Sequence, residues 1–243
     1  MENGSHMYNY KSMANIAVTG KNSRFAKTLK KYFHGKNIFY TKKSELNILK
    51  EKSINNFLKK KKIKILVHLA GLSRPMKIHE KNIYKSINLN IIGTSNIVKC
   101  CQKYNVKLIY FSTNYVYPCK KGPYKEDSSL LPINNYGWSK LGGEAAVQMY
   151  SNSLILRLCM TEYPFVHSKA YTNVLSSFIY HDKLALNFKK LLKKKGVINV
   201  GGKRQTVFNF VKKNNKKIKG VKSQTIYLDN SINIKKFEKI IKK

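Results

Sequence analysis

Asn15-Ile16-Ala17-Val18-Thr19-Gly20-Lys21-Asn22-Ser23-Arg24-Phe25-Ala26 is the stretch on which the fold turns. Asn15 to Thr19 is a short β-rich run and reads as a buried strand. Residues 24–33 then place Phe25, Leu29, Tyr32 and Phe33 at helical spacing. A strand, a tight turn and a helix N-terminus form a seat for a dinucleotide pyrophosphate, because free backbone N–H groups and the helix dipole both face the anion. The usual signature carries three glycines. Here Gly20 stands alone, with the small residues Ser23 and Ala26 at the two later positions. Taken in isolation, the turn fits an ordinary strand-to-helix connection equally well.

Outward from this stretch, β-rich runs alternate with helical ones. Strands are expected at 37–40, 63–69, 107–112 and 154–158. Helices are expected at 53–61, within 81–104 and at 136–150. That alternation predicts an α/β fold with a doubly wound parallel sheet, a Rossmann fold, covered on both faces. Ligands bind such sheets at the carboxyl ends of the strands. Past Thr161 the pattern weakens to a helix near 182–194, a strand at 197–200, a helix near 207–212, a strand near 225–228 and a helix at 232–241. The chain therefore divides into 13–160, a dinucleotide-binding domain, and 161–243, a small second lobe. Residues 1–12, which include the cloning-scar-like Gly4-Ser5-His6-Met7, read as a tag or a disordered N-terminus.

Composition narrows the class. Of 243 residues, 42% are hydrophobic, enough for a packed core. No apolar run reaches the length of a membrane span, and the first residues lack the apolar stretch of a secretory signal, so none is expected. Cys100, Cys101, Cys119 and Cys159 lack metal-ligand spacing, so no metal site is expected and a reduced, cytoplasmic setting fits. Forty-eight basic residues against eleven acidic ones give a net charge of +37. Only Arg24, Arg74, Arg157 and Arg204 are arginines, and the lysines are spread along the whole chain. That distribution matches the solvated positions of an A/T-rich genome better than a nucleic-acid reader, for which arginine is the better fork. No specific nucleic-acid partner and no membrane insertion are expected.

Chemistry gathers at the expected strand ends. After the second strand, Thr41-Lys42-Lys43 offers no acid until Glu45, so Lys42 suits a 2′-phosphate and NADP(H) is preferred, with NAD(H) possible. After the third come Leu69-Ala70-Gly71, small enough for a cofactor to lie against backbone. His68 before them reads as a packed strand residue. Ser112-Thr113 ends the fourth strand, and Tyr136 and Lys140 follow as Tyr-x-x-x-Lys on one helical face. A phenol titrates near 10. An ammonium one turn away would lower it. With the Thr113 hydroxyl beside it, the phenol would exchange a proton with a substrate oxygen as hydride moves.

Together, His68-Leu69-Ala70-Gly71, Asn90-Ile91-Ile92-Gly93-Thr94, Phe111-Ser112-Thr113-Asn114-Tyr115-Val116-Tyr117, Asn135-Tyr136-Gly137-Trp138-Ser139-Lys140-Leu141-Gly142-Gly143-Glu144, Leu156-Arg157 and Asn199-Val200-Gly201-Gly202-Lys203-Arg204-Gln205 resemble the extended, nucleotide-sugar-modifying branch of the short-chain dehydrogenase/reductase superfamily. Within that branch the chain is most similar to dTDP-4-dehydrorhamnose reductases. The resemblance covers residues 15 to about 210. It implies catalytic Thr113, Tyr136 and Lys140, with Asn90 supporting the lysine. It also implies a cofactor lying along Gly20, Asn22, Ser23, Arg24, Phe25, Lys42, Leu69, Ala70, Gly71, Ser112, Tyr136 and Lys140. Arg74, Asn114, Tyr115, Arg157 and Arg204 would meet a nucleotide-sugar, and residues 161–243 would be its binding lobe. The implied activity is NAD(P)H-dependent reduction of a 4-keto nucleotide-sugar, in a homodimer paired through the two long helices. Asn114 replaces the family's usual acid after the catalytic threonine, which argues against dehydration, and Cys119 lies too late for epimerase chemistry. An epimerase or dehydratase that retains NAD(P), and a non-catalytic NADP-binding regulatory subunit, remain the alternatives.

Overall fold

The computed structural model describes residues 14–242; the N-terminal segment read as a tag lies outside the described residues. The N-terminal half runs β1 (Asn15–Thr19), α1 (Arg24–Tyr32), β2 (Ile38–Thr41), α2 (Glu51–Lys60), β3 (Ile63–His68), α3 (Ile78–Lys81), α4 (Ile83–Ser86), a π-helical segment (Ile87–Ile92), α5 (Gly93–Lys103), β4 (Lys107–Thr113), α6 (Asn135–Gln148) and β5 (Ser153–Leu158). The rest follows as β6 (Met160–Thr161), β7 (Lys169–Tyr171), β8 (Leu175–Ser176), β9 (Ile179–Tyr180), α7 (His181–Asn187), β10 (Gly196–Val200), β11 (Gln205–Thr206), α8 (Val207–Lys212), β12 (Lys219–Val221) and α9 (Lys235–Lys242).

Six strands form one sheet in the order β10-β5-β4-β3-β1-β2, and each pair within it is parallel. Side chains alternate between its faces. Ile16 and Val18, Ile109 and Phe111, and Leu154 and Leu156 pack with residues of α1, α7 and α9. Ala17, Leu66, Leu108, Tyr110 and Ile155 face α2, α5 and α6. The strands are buried on both faces, which is why they read as apolar runs.

The expected long helix within 81–104 forms, unbroken from Ile83 to Lys103. The Asn82 side chain caps α4 by accepting from Lys85 N–H, and a π-helical turn precedes α5. Two other expectations are corrected. The strand near 225–228 does not form; β12, six residues earlier, pairs with β7 instead. Residues 161–243 do not stand apart either. β10 adds the sixth strand beside β5, and Leu184, Phe188 and Phe237 complete a face of the main core. A separate small cluster, Ala170, Val174, Val207, Val211 and Ile218, is the core of the lobe itself. No described helix is long and apolar enough to cross a membrane.

Candidate active site

The order of strands reverses between β1 and β3, and the crevice at their carboxyl ends is where such folds hold ligands. The two ends touch. Gly20 has φ +74°, and a Cβ on it would lie 2.9 Å from Ala70 N. Only glycine meets both demands. Thr19 locks the contact, its Oγ1 accepting from Leu69 N (3.1 Å) and Ala70 N (3.0 Å) while lying 3.0 Å from His68 Nδ1. His68 is thus a packed strand residue, as expected, and burial drives its imidazole down to about 3. Ser23 caps α1, with Oγ accepting from Ala26 N (3.2 Å). The amides of Arg24 and Phe25 belong to the turn that an α-helix leaves without internal acceptors. With Asn22 exposed beside them, they fit a dinucleotide's pyrophosphate. The Phe25 side chain does not take part: it is core, 5.2 Å from the Phe111 ring. Lys42 is exposed at the end of β2, but its N–H donates to Glu45 Oε2 (2.7 Å), so an acid stands at that strand end after all. A depression of about 280 Å³ lined by Lys21, Thr41 and Glu45 adjoins it.

Tyr136 lies in the first turn of α6, whose N-cap is Asn134. Its ring is 5.1 Å from His79 and 6.2 Å from Tyr115, centroid to centroid. Burial raises its phenol above the ordinary value; a hydrogen bond with the Thr113 hydroxyl and the charge of Arg74 pull it back. This corrects the expectation that Lys140 makes the phenol acidic. The Lys140 ammonium stands 4.2 Å over the ring of Tyr110, one helical turn along α6 from Tyr136. Burial lowers it to about 7 against the pull of Glu144. The phenol is held in its protonated form, which is the form that gives a proton away.

Asn90, in the π-helical segment, spends its side chain on bracing. Its Oδ1 accepts from Leu72 N (2.7 Å), and its Nδ2 donates to Leu72 O and Ser139 Oγ (both 2.9 Å). Ser139 Oγ in turn donates to Tyr136 O (2.8 Å). The loop after β3, which carries Gly71 and Arg74, is thereby tied to the turn that carries Tyr136.

Several sequence assignments change. Arg157 is 2% exposed and cannot reach a sugar. Its Nη2 and Nε donate to Glu144 Oε1 (2.5 and 3.0 Å), and its Nη1 donates to Tyr117 Oη (2.8 Å) and Glu126 O (2.9 Å). Ser112 points into the same network, donating to Glu144 Oε2 (2.6 Å), rather than toward a cofactor. Asn114 Nδ2 donates to Asn230 O (2.9 Å), anchoring the C-terminal segment instead of facing a ligand. Tyr115 does remain against Tyr136, and the charge of Arg74 acts on its phenol. Arg204 is part-exposed and paired with Asp229 at 2.7 Å, one residue from the Asn230 that holds Asn114. Leu69 packs mainly on the core. A groove of about 630 Å³ runs past the amino end of α6, lined by Lys120, Asn135, Trp138 and Tyr227 among others.

Glu144 and Glu162 carry the site's negative charge, and neither was given a role from sequence. The usable signal was scarcity. With eleven acids in the chain, each of the four arginines nevertheless finds a carboxylate.

A family model described as the RmlD substrate binding domain matches residues 13–179. Among curated proteins, the chain is 33% identical over 114 residues to methionine adenosyltransferase 2 subunit beta of Xenopus laevis, covering 46% of this chain and 34% of that protein. It is 32% identical over 159 residues to dTDP-D-glucose 4,6-dehydratase of Dictyostelium discoideum, covering 59% and 36%. The chain thus spans about a third of the length of these relatives. Among solved structures, a dTDP-4-dehydrorhamnose reductase from Bacillus anthracis in complex with NADP superposes with a TM-score of 0.82 at 20% identity, covering 93% of this chain and 92% of that one. The Bordetella bronchiseptica enzyme WbmG in complex with NAD gives 0.77 at 17%, covering 97% and 90%.

Proposed function

The chain belongs to the RmlD substrate binding domain family, and from that premise we propose that it is a nicotinamide-dependent reductase of a 4-keto nucleotide-sugar. The single observation that carries the reading is the Tyr136 phenol, packed against His79 and Tyr115 at the carboxyl edge of the sheet and kept protonated by burial. A bound nicotinamide supplies the hydride. Gly20, the amides of Arg24 and Phe25, and Ala70-Gly71 fit the dinucleotide and hold it along the switch point. Thr113 orients the phenol. Tyr136 gives its proton to the carbonyl oxygen as negative charge develops there. Lys140, charged in part at neutral pH, holds positive charge one helical turn from Tyr136. Arg204 binds the anionic part of the substrate. Lys42 favours NADP(H); Glu45, folded onto the same strand end, favours NAD(H).

The assay is oxidation of NADPH and NADH with dTDP- and UDP-linked 4-keto-6-deoxyhexoses. Turnover with either pair supports the reading. Dinucleotide binding without turnover of any 4-keto sugar refutes it in favour of a second reading, a non-catalytic nucleotide-binding subunit. The likeness to a methionine adenosyltransferase beta subunit and the loss of two glycines from the turn favour that second reading. A homodimer paired through the α4–α5 stretch and α6 is part of the proposal. Tyr84, Ile87, Ile92 and Trp138 are exposed apolar side chains there, and sedimentation of the full chain tests it.

A further inference from the structure

Two arginines in this cleft share one carboxylate. Arg24 Nη1 lies 2.5 Å from Glu162 Oε1, and Arg74 Nη1 donates to both Glu162 oxygens at 3.1 Å. Arg24 opens α1 at the switch-point turn. Arg74 follows β3, and Glu162 follows β5 by way of β6. The bridge therefore spans the carboxyl edge of the sheet from β1 to β5, across the path proposed above for the dinucleotide. Glu162 is the most sheltered member, with a side chain 15% exposed against 54% for Arg24 and 37% for Arg74.

Stoichiometry separates this cluster from the other arginine pairs. Arg157 and Arg204 each have a carboxylate to themselves. Here two guanidiniums, with five N–H donors apiece, face a single carboxylate. The cluster keeps one net positive charge and a surplus of donors, so it is an anion seat already part-filled by the protein. Burial pushes the Glu162 carboxyl up, but the Arg24 hydrogen bond and the Arg74 charge overcome this and hold it below the usual range, ionised at neutral pH. His181 faces the same carboxylate and is kept neutral-leaning by burial.

We propose that Glu162 sets the affinity of this cleft for diphosphate ligands by occupying, with its own carboxylate, the seat that Arg24 and Arg74 would otherwise offer to the ligand. The proposal rests on the dinucleotide-binding reading above. A dinucleotide's diphosphate engages the arginines in competition with Glu162, whose carboxylate takes part of their donors and repels it. Glutamine at this position keeps the size and an acceptor oxygen but removes the charge.

The test is calorimetric titration of the full chain with NADPH, NADH and inorganic pyrophosphate, at low and high salt. The variants are Glu162→Gln, Glu162→Ala and, as a charge control on α2, Glu51→Gln. Both Glu162 variants should bind all three probes more tightly at low salt, by about fivefold, the size of one unit-charge contact in water. The gain should shrink at high salt, and Glu51→Gln, whose partner is Lys99 rather than either cleft arginine, should stay within about twofold of wild type. Glu162 variants that fold as wild type, by circular dichroism, and bind equally or more weakly overturn this inference while leaving dinucleotide binding intact. A wild type that binds none of the probes overturns both.

Discussion

Replacing Lys140 by methionine separates what the side chain costs the fold from what it gives the site. Methionine keeps most of the length and loses the charge. Lys140 is 9% exposed and lies against Tyr110, and its ammonium titrates at about 7 instead of the ordinary 10.5. Between those two values the unfolded chain binds a proton that the folded chain does not. Stability therefore rises as pH climbs from about 7 to about 10.5, and below about 7 the whole penalty stands. At 1.36 kcal/mol per pH unit, the full distance corresponds to about 5 kcal/mol. Relaxation and water penetration reduce that to roughly 2–3 kcal/mol. The neighbouring Glu144 keeps Arg157 as its partner, so the substitution strands no buried charge. For a chain of this size Lys140→Met should raise the melting temperature at pH 7 by about 5–10 °C and flatten the rise of stability between pH 7 and 10. The proposed reductase activity should fall at the same time. Calorimetric melting of both proteins from pH 6 to 10 is the assay. A variant no more stable than wild type at pH 7, with the alkaline rise intact, refutes the placement of Lys140 as a desolvated cation.

Two further outcomes follow from the geometry. Glu144→Gln removes one side of an ion pair in which both side chains are at most 3% exposed; it should cost about 3–5 kcal/mol, read from denaturant unfolding at neutral pH. Gly20→Ala puts a Cβ 2.9 Å from Ala70 N at φ +74°. It should destabilise by about 1–3 kcal/mol and weaken dinucleotide binding at least tenfold by titration, whereas an unchanged affinity would remove the turn from the cofactor site.

The local parts of this molecule were legible and the long-range ones were not. Strand, turn and helix at 15–32 and the spacing of Tyr136 and Lys140 are written in consecutive residues, and they fold as read. The strand at 197–200 was equally visible, but a run of apolar residues does not name its neighbour. Its pairing with β5 across some forty residues is a tertiary fact. Arg157 looked like a substrate ligand because it falls within a motif at a strand end. Strand parity tells otherwise: it shares a sheet face with Ile155, the face covered by α6, and Glu144 on α6 was the acid waiting there. Tyr136 and Lys140 share a helical face, yet spacing says nothing about depth. The lysine sinks onto Tyr110, while the positive charge that lowers the phenol comes from Arg74, on a loop 62 positions before Tyr136. Glu162 had no signal beyond being a rare acid after a strand, since both its partners are distant in the chain.

The central claim is that the Tyr136 phenol is a proton donor to a sugar carbonyl, and Tyr136→Phe tests it with the smallest possible change. The measurement is single-turnover oxidation of bound NADPH by a 4-keto nucleotide-sugar, with dinucleotide affinity measured alongside. Loss of the donor should slow hydride transfer by about 10²- to 10⁴-fold while leaving dinucleotide affinity within about twofold, since uniform binding is separable from the chemical step. A phenylalanine variant that oxidises NADPH as fast as wild type contradicts the account.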